Sequence, residues 1–168
     1  MRGTTQEALR TTAELNASYH TPGEIYDLIS KLTGKPVDES FRMFPPFYTD
    51  CGKTITIGKD VFINSGCHFQ DQGGIRIGDG ALIGHCVVLA TLNHAFVPDK
   101  RQDIHPASIV IGKNVWIGSN ATVIPEPIYL LLAAILLFSC LTACGSSIFR
   151  IPSEILFCTV PATYRYSS

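Results

Sequence analysis

The sequence has little charge and almost no imbalance of sign. Lys and Arg number 13 against 14 Asp and Glu, a formal net charge of −1, and charged residues make up only 16% of the 168. A chain without a basic excess lacks the electrostatic footprint of a nucleic-acid binder, so no nucleic-acid partner is expected. Low charge combined with 46% hydrophobic residues also argues against a disordered chain. The N-terminus has no apolar segment: MRGTTQEALRTTAELN carries Arg2, Glu7, Arg10 and Glu14 and does not read as a secretory signal. CxxC pairs are missing as well. The six cysteines stand apart at 51, 67, 86, 140, 144 and 158, so reduced thiols in a cytoplasmic setting are expected rather than a disulfide framework.

Glycine and charge then run out together near Pro125. Residues 127–168 hold one of the 14 glycines, Gly145, and three charged residues, Arg150, Glu154 and Arg165. Two kinds of sequence meet there. The chain is divided accordingly into residues 1–44, residues 45–125 and an apolar tail, 126–168.

What is present begins as helix. Ala8, Ala13, Leu15, Ile25, Leu28, Ile29 and Leu32 form an apolar stripe over residues 5–33, broken at Thr21-Pro22-Gly23. Thr21 ahead of Pro22, with Glu24 three positions on, predicts an N-cap and capping box for a second helix, which Gly34 ends. The segment FPPFYTDCG (44–52) reads as an extended turn region, because two prolines and a glycine exclude helix.

From residue 55 a period of six takes over. The apolar anchors are Ile57, Ile63, Phe69; Ile77, Ile83, Leu89; and Ile111, Ile117, Val123, with Gly following at 58, 78, 84, 112 and 118. Neither a helix nor a simple strand generates this spacing. Three steps make a coil of about 18 residues with three short strands, each turning one aliphatic side chain inward while a small residue admits the corner. Stacked coils form a triangular solenoid filled by Ile, Leu and Val. The period breaks twice. Phe69 to Ile77 takes eight steps through QDQGG, and Leu89 to Ile111 takes 22 through HAFVPDKRQDIHPAS. A rigid repeat has no need of such insertions, so function is expected on them, above all on a protruding loop at about 92–108.

The blocks PPFYTDCGKTITIG (45–58), VFINSGCHFQDQGGIRIGDGALIGH (61–85), ATLNH (90–94) and HPASIVIGKNVWIGSNATVIP (105–125) resemble the hexapeptide-repeat sugar O-acetyltransferases, the group that acetylates maltose, galactosides or nodulation oligosaccharides. The N-terminal segment, including AELN (13–16), is similar to that family's helical cap. The resemblance spans roughly residues 1–125. It implies a mainly β fold, a left-handed parallel β-helix behind a helical N-terminal cap, assembled as a homotrimer with active sites between subunits. It also implies acetyl-CoA as co-substrate and a sugar hydroxyl as acceptor.

Acetyl transfer from a thioester to a hydroxyl needs a base near the hydroxyl and a donor for the thioester oxyanion. Imidazole suits the first task, and the resemblance puts the catalytic histidine at His94. His68, His85 and His105 have no such backing and read as surface or structural residues. The resemblance assigns the acceptor to Asn64 and Asp71, whose amide and carboxylate could grip hydroxyls. Turn chemistry in Asn-Ser-Gly is the other reading of Asn64, and pairing with a lysine the other reading of Asp71. Trp116 and Ser119 resemble the wall of the acetyl-CoA cleft, although Trp116 could equally pack between coils. A zinc site on the histidines is not expected, since their offsets from the anchors differ and no carboxylate-backed ligand set is apparent. Cys86 departs from the pattern, which often has Asn in IGHNVVLA.

After VIP (123–125) no hexad phase can be drawn through EPIYLLLAAILLFSCLTACGSSIFRIPSEILFCTVPATYRYSS. The family would continue with further coils carrying the far part of the CoA cleft. A shifted reading frame is the simplest account of the tail, and an impaired enzyme its consequence. The competing account is a membrane anchor, because residues 127–149 are free of charge over a length able to cross a bilayer as a helix. Alternative functions are acetylation of an antibiotic or other xenobiotic hydroxyl, or an inactive solenoid, truncated or membrane-attached.

Overall fold

Helix α1 (Arg2–Ala17) starts three residues before the expected stripe, and α2 (Pro22–Thr33) follows it. The capping box forms as the sequence predicts. Thr21 accepts from the Glu24 N–H, while the Glu24 carboxylate accepts from the Thr21 N–H at 2.7 Å. Gly34 closes α2 in the left-handed region at φ 70°, its N–H donating to the Ser30 carbonyl. The computed structural model describes residues 2–95 and 97–125, so the expectations for residues 127–149 and for the rest of the tail lie outside the described residues. No helix among the described residues is long and apolar enough to cross a membrane.

The solenoid begins inside the stretch assigned to the cap. Its first coil is β1 (Arg42–Met43), β2 (Phe47–Thr49) and β3 (Ile55–Ile57), so the supposed turn region 44–52 contains a strand. The second is β4 (Phe62–Ile63), β5 (Cys67–Gln70) and β6 (Ile75–Ile77). The third starts with β7 (Leu82–Ile83) and β8 (Val88–Ala90), is interrupted by β9 (Leu92–His94) and β10 (Ile104–Pro106), and resumes at β11 (Ile109–Ile111). β12 (Trp116–Ile117) and β13 (Thr122–Val123) belong to the next. Three parallel sheets result: β1-β4-β7-β12, β2-β5-β8-β13 and β3-β6-β11.

The register makes the anchors into columns. Met43, Ile63, Ile83 and Ile117 align in one sheet, Thr49, Phe69, Leu89 and Val123 in the second, and Ile57, Ile77 and Ile111 in the third. Ile63, Phe69, Ile83 and Leu89 are essentially inaccessible, each contributing about 1.5–3 kcal/mol of burial free energy. The coil, however, is longer than the hexad arithmetic gave. Partners in adjacent early coils, such as Phe62 and Leu82 or Ile55 and Ile75, are 20 residues apart. The two extra residues are not confined to QDQGG. They recur at one corner, between the second and third sheets, in both early coils, and the long insertion leaves the third coil at that same corner.

The glycines after the anchors also work differently from expectation. A Cβ on Gly78 would lie 2.7 Å from the Gly112 carbonyl carbon, and one on Gly84 would lie 2.6 Å from the Ser119 nitrogen. They are small because the next coil's backbone passes against them. The left-handed backbone that turns the corner sits two residues later, at Asp60, Gly80 and Asn114 in one column and at Gly66, Cys86 and Asn120 in another.

The helical cap closes the first coil. The Asn16 side chain accepts from the Phe47 N–H and donates to the Phe47 carbonyl, both at 2.9 Å, taking the place of a neighbouring strand along β2. Lys53 Nζ donates to the Lys31 carbonyl near the end of α2 at 2.8 Å and pairs with Glu7 of α1 at 3.1 Å.

Candidate active site

β9 and β10 form an antiparallel hairpin that projects from the solenoid, pairing Leu92 with Pro106, Asn93 with His105 and His94 with Ile104. The expected loop thus contains a two-stranded ribbon, residues 92–94 against 104–106. Its base is anchored by buried Thr91. The Thr91 hydroxyl donates to the Gln70 carbonyl at 2.6 Å and accepts from the Gly73 N–H at 2.8 Å, while the Gln70 side chain accepts from the Leu92 N–H at 3.2 Å. QDQGG therefore holds the hairpin in place.

The tip folds back over the histidine. Ala95 N–H donates to the Asp103 carbonyl, and a single 3-10 turn at Pro98–Lys100 is closed by Lys100 N–H to the Val97 carbonyl and Arg101 N–H to the Pro98 carbonyl. This curl brings the Arg101 carbonyl within 2.7 Å of His94 Nδ1. A carbonyl can only accept, so Nδ1 carries the proton and neutral His94 keeps a free lone pair on Nε2. The ring is exposed.

The other expected site residues divide between two corners. Asp71 shares the hairpin's corner, but its carboxylate is buried, with no exposed surface. Oδ1 accepts from the Thr49 hydroxyl at 2.8 Å and the Cys51 N–H at 2.9 Å, and Oδ2 accepts from the Thr54 hydroxyl. Neither the lysine pairing nor an oxygen open to a sugar hydroxyl is found; the group ties the first coil to the second. Neighbouring Asp50 has its pKa raised, first by burial and then by the charge of Asp71.

Asn64 and Ser119 lie at the corner between the first and second sheets, two coils apart. Asn64 Oδ1 accepts from the Ser65 N–H at 3.0 Å, so the turn chemistry is realised, and the residue remains partly exposed. Ser119 Oγ accepts from the His85 N–H at 3.1 Å. Trp116 stands outward from the first sheet, 68% exposed, and does not pack between coils among the described residues. In the same outward row are Phe62 and Leu82, which with Tyr19, Phe41 and Phe44 line an apolar groove of about 800 Å³ between the cap and the solenoid. One chain thus carries His94 at one corner and Asn64, Ser119 and the groove on another side.

Two of the remaining histidines make local contacts. His68 stacks on Tyr48 with ring centroids 4.5 Å apart, and His105 pairs with Asn93 in the hairpin. Among the described residues no three His, Cys, Asp or Glu side chains come together as a metal site. Thr91, Gln70 and the Arg101 carbonyl were missed from sequence. The first two stand inside or beside ATLNH and QDQGG, whereas no residue type encodes where a backbone carbonyl points.

A stack of parallel coils behind two helices has known counterparts. The model described as "Hexapeptide repeat of succinyl-transferase" matches residues 54–90 and 108–130. Nodulation protein L of Rhizobium meliloti is 39% identical over 83 residues, 48% of this chain and 45% of that protein. The galactoside O-acetyltransferase of Escherichia coli is 31% identical over 114 residues, 67% of this chain and 56% of that protein. The crystal structure of a hexapeptide-repeat containing acetyltransferase from Vibrio cholerae superposes with a TM-score of 0.70 at 33% identity, covering 74% of this chain and 71% of that one. The same Vibrio protein complexed with acetyl coenzyme A matches with a TM-score of 0.64 at 32% identity, over 73% and 67% of the two chains. The chain belongs to the hexapeptide-repeat acetyltransferase family. It spans about half the length of the curated relatives it matches.

Proposed function

We propose that the site transfers an acetyl group from acetyl-CoA to a sugar hydroxyl, with His94 as general base and no covalent enzyme intermediate. The observation that carries this reading is the His94 Nδ1 to Arg101 carbonyl bond, which leaves the Nε2 lone pair as the proton acceptor. The acceptor hydroxyl gives its proton to Nε2 as its oxygen attacks the thioester carbonyl, and the imidazolium gives that proton to the departing thiolate as the carbon–sulfur bond breaks. Sugar as acceptor is supported by the galactoside O-acetyltransferase relative and acetyl-CoA by the Vibrio complex.

The family resemblance is the basis for reading the stack as a left-handed β-helix in a cytoplasmic homotrimer. The separation of His94 from Asn64 within one chain supports only a shared site, in which one subunit's hairpin meets the next subunit's Asn64, Trp116 and Ser119. The acceptor is held at the Asn64 corner. Asp71 acts at one remove, holding the corner from which the hairpin springs.

The loss of the family's further coils impairs this activity, so the assay uses a chain made active by hexad coils restored after Pro125. There His94→Ala should lose about two to four orders of magnitude in turnover, the usual worth of a general base. Mixing His94→Ala with Asn64→Ala subunits should restore part of the activity, since shared sites can draw both native residues from different chains. Unimpaired turnover by His94→Ala would remove the base, and failure of the mixture to recover would remove the shared site.

A further inference from the structure

The Val97–Arg101 turn does more than close a hairpin. Its N-terminal residue, Val97, is extended at φ −71° and ψ 123° and supplies no side-chain cap, so the turn is started by Pro98 at its first position. A proline there has its φ already set near the value the turn needs and loses little entropy on folding. Three hydrogen bonds that carry the chain back toward β10 follow from that start: Lys100 N–H to the Val97 carbonyl, Arg101 N–H to the Pro98 carbonyl, and Asp103 N–H to the Lys100 carbonyl. The product of this curl is one acceptor, the Arg101 carbonyl, held 2.7 Å from His94 Nδ1.

We infer that Pro98 is a positioning residue which, through the Arg101 carbonyl, sets the tautomer of His94 so that Nε2 is the basic nitrogen. The assignment rests on the proposed role of His94, but its test does not. A neutral imidazole can carry its proton on either nitrogen, and an exposed ring such as His94 has no burial to bias the choice. One hydrogen bond from Nδ1 to a fixed carbonyl decides it. During proton transfer the arriving proton occupies Nε2 while Nδ1 keeps its own and donates it to the Arg101 carbonyl, which then faces a positive ring, so the bond strengthens. Loosening the turn lets the carbonyl swing away, and the ring then populates the tautomer with its proton on Nε2, which cannot accept another there.

The test is two-bond proton–nitrogen NMR on the full chain labelled with ¹⁵N-histidine. It is run about two pH units above the ordinary histidine pKa, where neutral rings dominate. His94 is assigned by the signals lost in His94→Gln. In the native chain, His94 should show a protonated Nδ1 and a bare Nε2. In Pro98→Gly the tautomer ratio should move toward protonated Nε2 by about fivefold, the ratio that one net hydrogen bond sustains. Backbone amide signals outside residues 92–106 should not change, which separates loss of the turn from loss of the fold. A native His94 protonated on Nε2 would overturn the inference whatever Pro98→Gly does. An unchanged ratio in Pro98→Gly would overturn the role of the turn. Full turnover by His94→Ala, in contrast, would sink the general-base reading and leave the NMR result to stand alone.

Discussion

At the scale of single residues, Cys86 is the clearest misfit. It holds a left-handed backbone, φ 54°, in the column whose other members are Gly66 and Asn120. That conformation costs most side chains roughly 1–2 kcal/mol, and Asn is among the few that adopt it readily. Cys86→Asn is therefore expected to stabilise the fold by about 0.5–1 kcal/mol, read as a rise in thermal midpoint with no loss of structure. The departure from Asn was visible in the sequence; the strain behind it was not, because φ is a property of the stacked corner. Asp50 and Asp71 make the same point. QDQGG reads as an insertion in the repeat, yet the partners of Asp71 come from Thr49, Cys51 and Thr54 on the coil below, a pairing that only the register of β2 with β5 creates. Asp50 has a folded pKa above its ordinary value. The folded state thus binds the extra proton, and stability should fall as pH rises from the ordinary Asp value of about 3.9 through the raised one. Asp50→Asn should flatten that fall in denaturant titrations run across the acid range. An equal slope in both proteins would show that the carboxylate is not the source.

At the scale of elements, the sequence was most legible where a local rule has one solution. Thr21, Pro22, Glu24 and Gly34 fixed both ends of α2 because a cap needs only its own turn. The hexad anchors predicted the columns because a position facing the inside of the stack strongly favours apolar residues. The coil length was misjudged because a corner can absorb two residues without disturbing the strands on either side. The interface between cap and solenoid was hidden for a related reason: AELN contains Asn16, but nothing in a helix reveals that its amide will serve as the neighbour of a strand 31 residues on. Asn16→Ala would leave the Phe47 N–H and carbonyl of β2 without their partner. The expected cost is about 1–3 kcal/mol in chemical denaturation. The bared edge should also raise concentration-dependent association by gel filtration. Asn16→Ala with native stability and native elution volume would mean that α1 is held by its apolar contacts alone.

At the scale of the whole molecule, the two ends of the stack are built differently. The first coil is covered by helices, and its edge strands find partners in Asn16 and Lys35, the latter donating to the Ile55 carbonyl at 3.2 Å. At the other end, β11, β12 and β13 have no further strand beside them among the described residues, and Trp116 and Val110 stand out at 68% and 69% exposure. A hexad continuation would satisfy these edges and extend the outward row of Phe62, Leu82 and Trp116. The sequence after Pro125 keeps neither the anchors nor the glycines that such a coil needs, since a Cβ at the positions of Gly78 or Gly84 would meet the next coil's backbone. It is also poor in cations, with Arg150 and Arg165 alone among residues 127–168 to meet the phosphates of CoA. Weak acetyl-CoA binding and poor solubility are expected of the chain as written. A chimera that keeps residues 1–125 and continues with hexad repeats bearing basic residues should gain at least about tenfold in acetyl-CoA affinity by calorimetry, a difference of roughly 1.4 kcal/mol, and should stay soluble at higher concentration. Equal affinity in the two chains would locate the binding determinants wholly within residues 1–125, and the polar groups already at the Ser119 corner would then have to account for them.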